Sequence, residues 1–272
     1  MEETAAEAPG PQIIEAGSRR LRVLDLGAGE ATPIVLVHGF GGDLNTWMFI
    51  QPTLAEGRRA IAFDLPGHGG SEKQVSAGDV DALTAVLGDV MTALGIERAH
   101  LVGHSMGGAI AGVLALHQPE RVASLSLVAP SGLGPEINAA FIDAFVHVQR
   151  RREAQEMLAQ LVYDPALVSR TMVEEVLRYK RLDGVQAALE TIAGAWFPGG
   201  RQALSLMPAL AQSPVPVQLL WGRGDRIIPV AHAEALSARM PVHVIDEAGH
   251  LLHLEKAAEA ARLIRQFIES HA

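Results

Sequence analysis

The sequence predicts an α/β protein with a mostly parallel central sheet and helices on both faces. Two observations carry this prediction: short, continuously apolar runs recur along the chain, and helical patterns separate them. Strands of a parallel sheet are buried on both faces, so they read as unbroken apolar runs rather than as alternating ones. A third observation is one long segment without any such run, which indicates a helical insertion between two strands.

Six apolar runs are expected to form strands, and three periodic patterns are expected to form the core helices. The expected strands cover residues 33–39, 60–67, 99–103, 122–130, 215–222 and 242–246. The expected core helices cover residues 79–94, 109–117 and 255–268. Because strands and helices alternate along the chain, the arrangement is typical of βαβ units that build a parallel sheet.

The alternation stops between residues 131 and 208, where no strand-like run occurs. This segment reads as several helices, including residues 137–161 and 173–179. An insertion of this size between two core strands is typical of a lid over a site. We therefore predict a core of residues 12–130 and 209–272, a helical cap of residues 131–208, and an Ala/Pro-rich, linker-like tail of residues 1–11.

Composition excludes several classes of protein. The chain has 272 residues, a net charge of −9 and no cysteine. The acidic balance argues against a nucleic-acid binder, and the lack of cysteine excludes disulfides, thiolate metal sites and cysteine nucleophiles. The first residues lack the basic and apolar regions of a signal peptide, and no apolar stretch is long enough to span a membrane. We expect a cytoplasmic protein that binds neither nucleic acid nor membrane.

The segment LVGHSMGG places Ser105 between Gly103 and Gly107. An apolar run ends just before the serine, and a helix of small residues begins just after it. In such a sharp strand-to-helix turn, side chains at the two glycine positions would collide with neighbouring backbone, and the serine hydroxyl is displayed at the edge of the sheet. Ser105 is therefore predicted to be a nucleophile, with an idle serine in a Gly-rich turn as the alternative.

A serine nucleophile needs a histidine base that is oriented by a carboxylate. Asp225 follows the run at 215–222, and His250 follows the run at 242–246. Their order along the chain, serine then acid then histidine, is the one that accompanies this turn. We predict Asp225 as the orienting acid and His250 as the base, with no metal. The weaker competitors for these two roles are Asp64, Asp246 and His253. The other histidines considered are expected to be structural or solvated: His104, His117 and His232.

Acyl transfer also needs two backbone donors for the oxyanion. The N–H of Met106, directly after the serine, is predicted to be one of them. The loop VHGFGG ends the first apolar run, and its Phe40 is predicted to offer the second N–H. A plain Gly-rich turn is the alternative for this loop. The loop DLPGHGGS at 64–71 is expected to be structural.

Together, the segments HGFGG, DLPGHGGS, GHSMGG, GRGD and AGH resemble the α/β-hydrolase superfamily over nearly the whole chain. The resemblance implies the α/β-hydrolase fold, with a helical cap inserted after the sixth strand. Haloalkane dehalogenases and epoxide hydrolases of this superfamily have an aspartate as the nucleophile. The serine at position 105 therefore implies acyl chemistry.

A closer resemblance lies in the cap. The segments PSGLGPEINAAFIDAFV, DPALVSRTMVEEVLRYKRLDGV and FPGGRQ are similar to the hydrolase-type catalytic domain of the dihydrolipoamide acetyltransferase component of acetoin dehydrogenase complexes. That resemblance implies acetyl transfer from acetyl-dihydrolipoamide to coenzyme A through Ser105. In that family a lipoyl domain and an Ala/Pro-rich linker precede this domain, and the resemblance therefore implies either an excised domain or a stand-alone relative. Lipoamide and coenzyme A are expected as acyl donor and acceptor, and a lipoyl domain or the dehydrogenase complex as a partner.

Five residues are candidates for contact with the substrate: Gly39, His104, Phe141, Phe145 and Trp196. Large apolar side chains at helical spacing are more often packing residues, which is the alternative for the aromatic ones and for Phe197 beside them. The cap stretches QRRRE at 149–153 and RYKR at 178–181 could attract a phosphate-bearing acyl carrier or an acidic lipoyl domain. However, the cap holds 8 Lys and Arg against 9 Asp and Glu, which favours solvated helix faces.

Three classes of function remain open from the sequence. The first is an acyltransferase that passes an acetyl group between thiols. The second is a hydrolase of small esters, thioesters or carbon–carbon bonds that uses the same residues with water as the acceptor. The third, a binding protein on a hydrolase scaffold, is disfavoured because a scaffold needs neither the three catalytic candidates nor both oxyanion loops. The choice between thiol and water depends on the shape of the lid.

Overall fold

A computed structural model describes residues 10–272; residues 1–9, most of the predicted tail, lie outside the described part. The strands are β1 (Gln12–Ala16), β2 (Arg19–Leu26), β3 (Ala31–Val37), β4 (Arg58–Phe63), β5 (Ala99–His104), β6 (Val122–Val128), β7 (Val217–Gly222) and β8 (Val242–Ile245). The α-helices are α1 (Gln51–Leu54), α2 (Val80–Ala93), α3 (Met106–His117), α4 (Ala139–His147), α5 (Arg151–Leu158), α6 (Arg170–Lys180), α7 (Val185–Trp196), α8 (Met207–Leu210), α9 (Ala231–Glu234), α10 (Leu252–Glu255) and α11 (Ala257–Glu269).

The eight strands form one sheet in the order β1-β2-β4-β3-β5-β6-β7-β8. Strands β3 to β8 run parallel to one another, whereas β1 and β2 pair antiparallel with their neighbours. The predicted mostly parallel sheet is confirmed. Because parallel strands end at the same edge, the loops that follow β3, β5, β7 and β8 meet there. These loops carry Phe40, Ser105, Asp225 and His250.

Helices cover both faces of the sheet, as predicted. On one face α2 and α3 bury Leu87 and Leu114, and on the other α1 and α11 bury Leu54 and Ile264. Successive residues of β3 alternate between these two apolar clusters. Fully burying one such side chain contributes roughly 1.5–3 kcal/mol. Strand β5 is buried along its whole length, which accounts for the unbroken apolar run that predicted it.

The antiparallel hairpin of β1 and β2 is not among the predicted strands. Residues of β2 alternate in burial: Leu21 and Val23 are buried, whereas Arg20 is exposed and Arg22 is partly exposed. A strand with one face toward solvent produces alternation rather than a continuous apolar run. The alternating segment RLRVLDL is the signal that predicts this strand.

The structure corrects three of the predicted elements. The strand predicted at 60–67 ends at Phe63, because the chain turns at Asp64, whose carboxylate accepts from backbone N–H groups of two loops. The helix predicted at 109–117 begins at Met106, directly after Ser105. The helix predicted at 255–268 is divided into α10 and α11, because Lys256 has a non-helical backbone with φ of −127° and ψ of 47°.

The helix predicted at 137–161 is also two helices, α4 and α5. Lys180 of α6 donates its ammonium group to the carbonyl oxygens of Phe145 and Val146 in the last turn of α4. Carbonyl groups at a helix end have no partner within the helix, so this contact stabilises the end of α4. Burial lowers the pKa of Lys180 to about 8. A lysine from another helix thus caps the end of α4, a contact that periodicity within residues 137–161 does not indicate.

Helices α4 to α8 lie between β6 and β7, the position of the predicted cap, and we call residues 131–208 the cap. The predicted boundary after residue 208 falls inside α8. Two cap side chains donate hydrogen bonds to core loops beside the sheet edge. The hydroxyl of Tyr179 donates to the carbonyl oxygen of Gly67 at 2.7 Å, and Nε1 of Trp196 donates to that of Gly78 at 2.8 Å. The cap therefore lies over the edge at which the candidate residues meet.

Candidate active site

Ser105 occupies the turn between β5 and α3 in an unusual backbone conformation. Its φ is 53° and its ψ is −119°, and such a conformation costs a non-glycine residue about 1–3 kcal/mol. Hydrogen bonds hold the turn in place: its N–H donates to Val128 O at 3.0 Å, and its carbonyl oxygen accepts from the N–H groups of Gly108 and Ser131 at 3.0 Å. Ser105 lies close to Gly39, and the residue is only 8% exposed. The sheet and the helix therefore impose the strain on the serine.

Gly103 and Gly107 lie where neighbouring backbone leaves no room for a side chain. A Cβ on Gly107 would collide with the carbonyl oxygens of Val37 and His38. A Cβ on Gly103 would lie 2.5 Å from the carbonyl oxygen of Gly107. These contacts let β3, β5 and α3 approach closely enough to form the turn that displays Ser105.

Replacing Gly107 with alanine is expected to lower the melting temperature by about 5–10 °C, because the added methyl group displaces backbone that cannot rotate away. Thermal unfolding followed by circular dichroism measures the change. Gly194→Ala in α7 is the matched control, since no atom lies within 4 Å of the added Cβ. Alanine there is expected to raise stability by up to about 1 kcal/mol. Equal melting temperatures for the two variants would contradict the close-approach argument.

Asp225 and His250 form a buried pair at the ends of β7 and β8. Nδ1 of His250 lies 2.8 Å from Oδ2 of Asp225, and their side chains are 3% and 0% exposed. The other carboxylate oxygen accepts from the N–H groups of Ile227 and Ile228 at 2.8 and 3.0 Å. A buried carboxylate with these donors remains an acceptor, so His250 carries its proton on Nδ1 and leaves Nε2 with a free lone pair. This tautomer is the one that a general base requires.

Ser105 and His250 share His104 as a neighbour. Nε2 of His104 lies 3.0 Å from the carbonyl oxygen of His250, and the two rings are 4.7 Å apart between centroids. Because a carbonyl only accepts, His104 donates from Nε2. Within residues 10–272, Ser105 Oγ is not hydrogen-bonded to His250, so the contact between hydroxyl and base stays a prediction. Such contacts are often long in unliganded enzymes.

The two predicted oxyanion donors lie on the loops that flank Ser105. Met106 is the first residue of α3, and its N–H, like that of Phe40, is not engaged by another group within residues 10–272. The N-terminus of a helix carries a partial positive charge that favours an anion. Their role in binding an oxyanion stays a prediction.

Three side chains that the sequence analysis did not place in the site hold the Phe40 loop. His38 accepts the N–H of Leu65 at 3.0 Å, and His68 accepts that of Gly41 at 3.1 Å. Asp64 accepts from Leu44 at 2.6 Å and from Gly70 at 2.7 Å. The loop at 64–71 therefore braces the loop that carries Phe40. The sequence signal for these contacts was a polar side chain directly after each strand: His38 follows β3 and Asp64 follows β4.

Aromatic side chains of the cap surround Phe40. The ring of Phe40 lies 5.7 Å from that of Phe145 and 6.1 Å from that of Phe197, both in edge-to-face arrangements. The ring centroid of Phe141 lies 6.1 Å from that of Phe145. The indole N–H of Trp196 donates to the carbonyl oxygen of Gly78 in a core loop. The cap therefore presents an apolar aromatic wall to the Phe40 loop; substrate contact by these residues remains a prediction.

The competing acids and histidine have other partners. Asp246 is exposed and paired with Arg223, and Asp64 braces the loops. His253 is buried between the rings of Trp47 and His104, at 4.9 and 4.6 Å. Burial, with a smaller effect of neighbouring His250, lowers the pKa of His253 to about 3. These contacts favour Asp225 and His250 over their competitors.

Buried imidazoles are expected to destabilise the fold in acid. Burial lowers the pKa of His68 and of His253 to about 3, below the 6.5 of the unfolded chain. Between these values the unfolded state binds more protons, so the free energy of unfolding decreases as the pH falls below about 6.5. Urea unfolding from pH 7 to pH 4 measures the slope.

The variant His253→Phe removes one such group, so the pH dependence is expected to lose about one proton between pH 6 and 4. His147→Gln, at an exposed imidazole of α4, is the control and should keep the original slope. An unchanged slope for His253→Phe would be evidence against neutral burial of this ring.

Four of the five arginines in the basic stretches of the cap, and Arg170 between these stretches, are paired with glutamates of the cap. Each of five arginines forms an ion pair with a nearby glutamate: Arg150 with Glu153, Arg151 and Arg170 with Glu174, Arg152 with Glu156, and Arg178 with Glu175. Exposed pairs of this kind contribute at most about 1 kcal/mol each. This pairing favours solvated helix faces over a basic docking patch.

Residues 10–272 contain neither a cluster of metal-ligating side chains nor a helix that could cross a membrane. No three His, Asp or Glu side chains of this part of the chain are grouped so that they could hold a metal ion. None of its helices combines the length and the apolar character that crossing a membrane requires.

The sequence profile of the alpha/beta hydrolase fold family matches residues 32–257. Among curated proteins, the chain is 46% identical over 266 residues to the dihydrolipoyllysine-residue acetyltransferase component of the acetoin cleaving system of Pseudomonas putida. It is 41% identical over 267 residues to the protein of the same name from Cupriavidus necator. Each alignment covers 98% of this chain and 71% of the relative.

More distant relatives are hydrolases. The chain is 34% identical to the 2-hydroxymuconate semialdehyde hydrolase of Pseudomonas sp. strain CF600, over 95% of this chain and 93% of that protein. A solved meta-cleavage product hydrolase from Pseudomonas fluorescens superposes with a TM-score of 0.87 at 24% identity, covering 96% of this chain and 98% of the other. The 2-hydroxy-6-oxo-6-phenylhexa-2,4-dienoate hydrolase of Rhodococcus sp. strain RHA1 superposes with a TM-score of 0.84 at 27% identity, covering 96% and 100%. These matches confirm the predicted fold.

Proposed function

The chain belongs to the α/β-hydrolase fold family, and from this premise we propose that it is an acyltransferase that carries an acyl group on Ser105. The observation that supports the proposal most is the buried pair of His250 and Asp225, at the sheet edge where a strained turn displays the serine. Backbone strain and buried charge are costly, and proteins tend to retain them at functional sites. A binding scaffold has no use for either.

In the first half-reaction, Oγ of Ser105 attacks the thioester carbonyl carbon of acetyl-dihydrolipoamide. Nε2 of His250 accepts the hydroxyl proton, and Asp225 stabilises the imidazolium that results. The carbonyl oxygen becomes an oxyanion, which the N–H groups of Phe40 and Met106 stabilise. The carbon–sulfur bond then breaks, the proton passes from His250 to the leaving sulfur, and the acetyl group remains on Ser105.

In the second half-reaction, the thiol of coenzyme A takes the place of the leaving thiol. His250 accepts the thiol proton while the sulfur attacks the acetyl carbonyl. Collapse of the oxyanion breaks the bond to Oγ, and His250 returns the proton to Ser105. The products are acetyl-coenzyme A and dihydrolipoamide. Coenzyme A and acetyl-dihydrolipoamide are substrates here, and neither is a resident cofactor.

The acetyl group and the dihydrolipoyl group are inferred from the names of the relatives, and coenzyme A as the acceptor remains part of our proposal. Two proteins more than 40% identical to this chain are named as the acetyltransferase component of the acetoin cleaving system. The apolar wall of Phe40, Phe145 and Phe197 suits a small, uncharged acyl group. The same names describe a component of a larger system and a dihydrolipoyllysine residue, which supports a multi-component assembly as the partner. A lipoyl domain within that assembly and a cytoplasmic location remain our expectations.

The second candidate function is hydrolysis of small esters, thioesters or carbon–carbon bonds. It is favoured by the hydrolases that share 34% of the sequence and nearly the full length of this chain. The residues and the acyl-enzyme are the same, and water replaces coenzyme A in the second half-reaction. The two functions therefore differ only in what reaches the acyl-enzyme.

The fate of the acetyl group distinguishes the two functions. Purified protein receives acetyl-dihydrolipoamide with and without coenzyme A, and separately p-nitrophenyl acetate with and without coenzyme A. We expect acetyl-coenzyme A to exceed free acetate and coenzyme A to accelerate p-nitrophenol release. Free acetate at a rate that coenzyme A does not change would favour the hydrolase. No turnover of either substrate would contradict both functions.

A further inference from the structure

A short segment of the cap lies directly against the loop that carries His250. Residues 161–164 follow α5, and residues 248–251 lie between β8 and α10. The N–H of Leu251 donates to the carbonyl oxygen of Leu161 at 3.0 Å. A Cβ on Gly249 would lie 2.8 Å from the backbone nitrogen of Tyr163, so the two backbones touch. The cap and the histidine loop are in backbone contact at this point.

The carboxylate of Glu255 bridges the same two segments. Its Oε1 accepts the N–H of Gly249 at 2.7 Å, and its Oε2 accepts the N–H of Tyr163 at 2.6 Å. The side chain is half-buried at the end of α10. Hydrogen bonds to a carboxylate are shorter and stronger than those between neutral groups. Each oxygen thus holds one of the two segments.

The backbone around His250 is held on both sides. Glu255 fixes the N–H of Gly249 just before it, and His104 donates to the carbonyl oxygen of His250 itself. Leu161 of the cap accepts the next N–H, from Leu251. Asp225 then orients the ring. Two of these four contacts join the loop, directly or through Glu255, to the cap.

We propose that Glu255 is a positioning residue that couples the cap to the backbone of the histidine loop and so sets where the His250 imidazole lies. This inference rests on the proposed function, in which His250 is the base. Glu255 touches neither substrate nor the reacting atoms. Its effect reaches the reaction through the peptide group of Gly249, and a shift of the imidazole away from Ser105 slows proton transfer.

The test variant is Glu255→Gln, which keeps the shape but offers one acceptor oxygen and turns an NH₂ group toward an N–H donor. The matched control is Glu247→Gln, just before this loop, where the carboxylate is 73% exposed and forms an ion pair with Lys256. Two readouts are measured on the full chain: kcat and KM for p-nitrophenyl acetate, and amide hydrogen exchange of Gly249 and Tyr163 by NMR.

For Glu255→Gln we expect kcat to fall about tenfold with KM nearly unchanged, and both amides to exchange faster. Glu247→Gln should match the parent chain in both readouts. Parental kcat and parental amide exchange in Glu255→Gln would overturn the proposal. A lower melting temperature of this variant with parental kcat would also overturn it, because it would show a purely structural role.

Amide hydrogen exchange in the parent chain tests the Glu255 bridge without any variant and without enzyme activity. The bridge predicts that the Gly249 and Tyr163 amides are both protected and that their opening free energies agree, because one carboxylate holds both. Unprotected or independently opening amides would overturn the bridge. Absence of ester turnover in the parent chain, by contrast, would count against the proposed function and leave this exchange test standing.

Discussion

The variant Ser105→Ala is expected to lose both acetyl transfer and ester cleavage by a factor of about 10⁴ or more, because removal of a serine nucleophile leaves only binding and oxyanion stabilisation. The fold should persist. Alanine keeps the backbone hydrogen bonds of the turn, from the N–H to Val128 and from Gly108 and Ser131 to the carbonyl oxygen. Steady-state rates with acetyl-dihydrolipoamide and with p-nitrophenyl acetate measure the loss, and circular dichroism checks the fold.

Ser131→Ala is the matched control for this experiment. Ser131 is buried in the loop after β6, and its hydroxyl has no hydrogen-bond partner within residues 10–272. Its N–H, which supports Ser105, is unchanged by alanine. We expect activity within about twofold of the parent chain, because the hydroxyl of Ser131 makes no hydrogen bond that alanine would remove. Full activity in Ser105→Ala would refute the assignment of the nucleophile.

The variant Asp225→Asn is expected to lower kcat by about 10³–10⁴-fold with little loss of stability. Asparagine retains an oxygen that accepts from Ile227 and Ile228. Its NH₂ group then faces Nδ1 of His250, so the imidazole must carry its proton on Nε2. An imidazole protonated at that atom cannot accept the proton of Ser105. The loss therefore arises from the wrong tautomer, and kcat with p-nitrophenyl acetate measures it.

Asp246→Asn provides the comparison for Asp225→Asn. Asp246 follows the neighbouring strand, and its carboxylate is exposed and paired with Arg223. Its removal should leave kcat unchanged, because an exposed ion pair contributes at most about 1 kcal/mol and does not touch His250. If Asp246→Asn caused the larger loss, the orienting acid would be misassigned.

Local patterns in the sequence were sufficient to predict the centre of the sheet and the order of the candidate residues. Parallel strands that are buried on both faces produce apolar runs, and their carboxyl ends share one edge. The pairing of Asp225 with His250 agrees with that reasoning. The β1–β2 hairpin was not predicted, because a half-exposed strand produces only a weak alternation of apolar and polar residues.

Contacts between residues far apart in the chain escaped the sequence analysis. Lys180 ends α4, and His38 and His68 hold the Phe40 loop. Glu255 joins the cap to the loop of His250, at a separation of 92 residues from Tyr163. Some of these side chains lie in recognisable loop segments, but neither periodicity nor motif spacing shows which distant backbone groups they bind.

The amino-acid sequence alone specifies the elements whose cause is local: apolar runs, the two glycines beside Ser105, and the succession of serine, aspartate and histidine. Packing of the whole chain selects among candidates that are locally equivalent. His250 and His253 lie three residues apart, yet one is paired with a carboxylate and the other is enclosed by aromatic rings. Burial and partner choice depend on the positions of distant segments, and these positions exist only once the sheet, the helices and the cap have assembled.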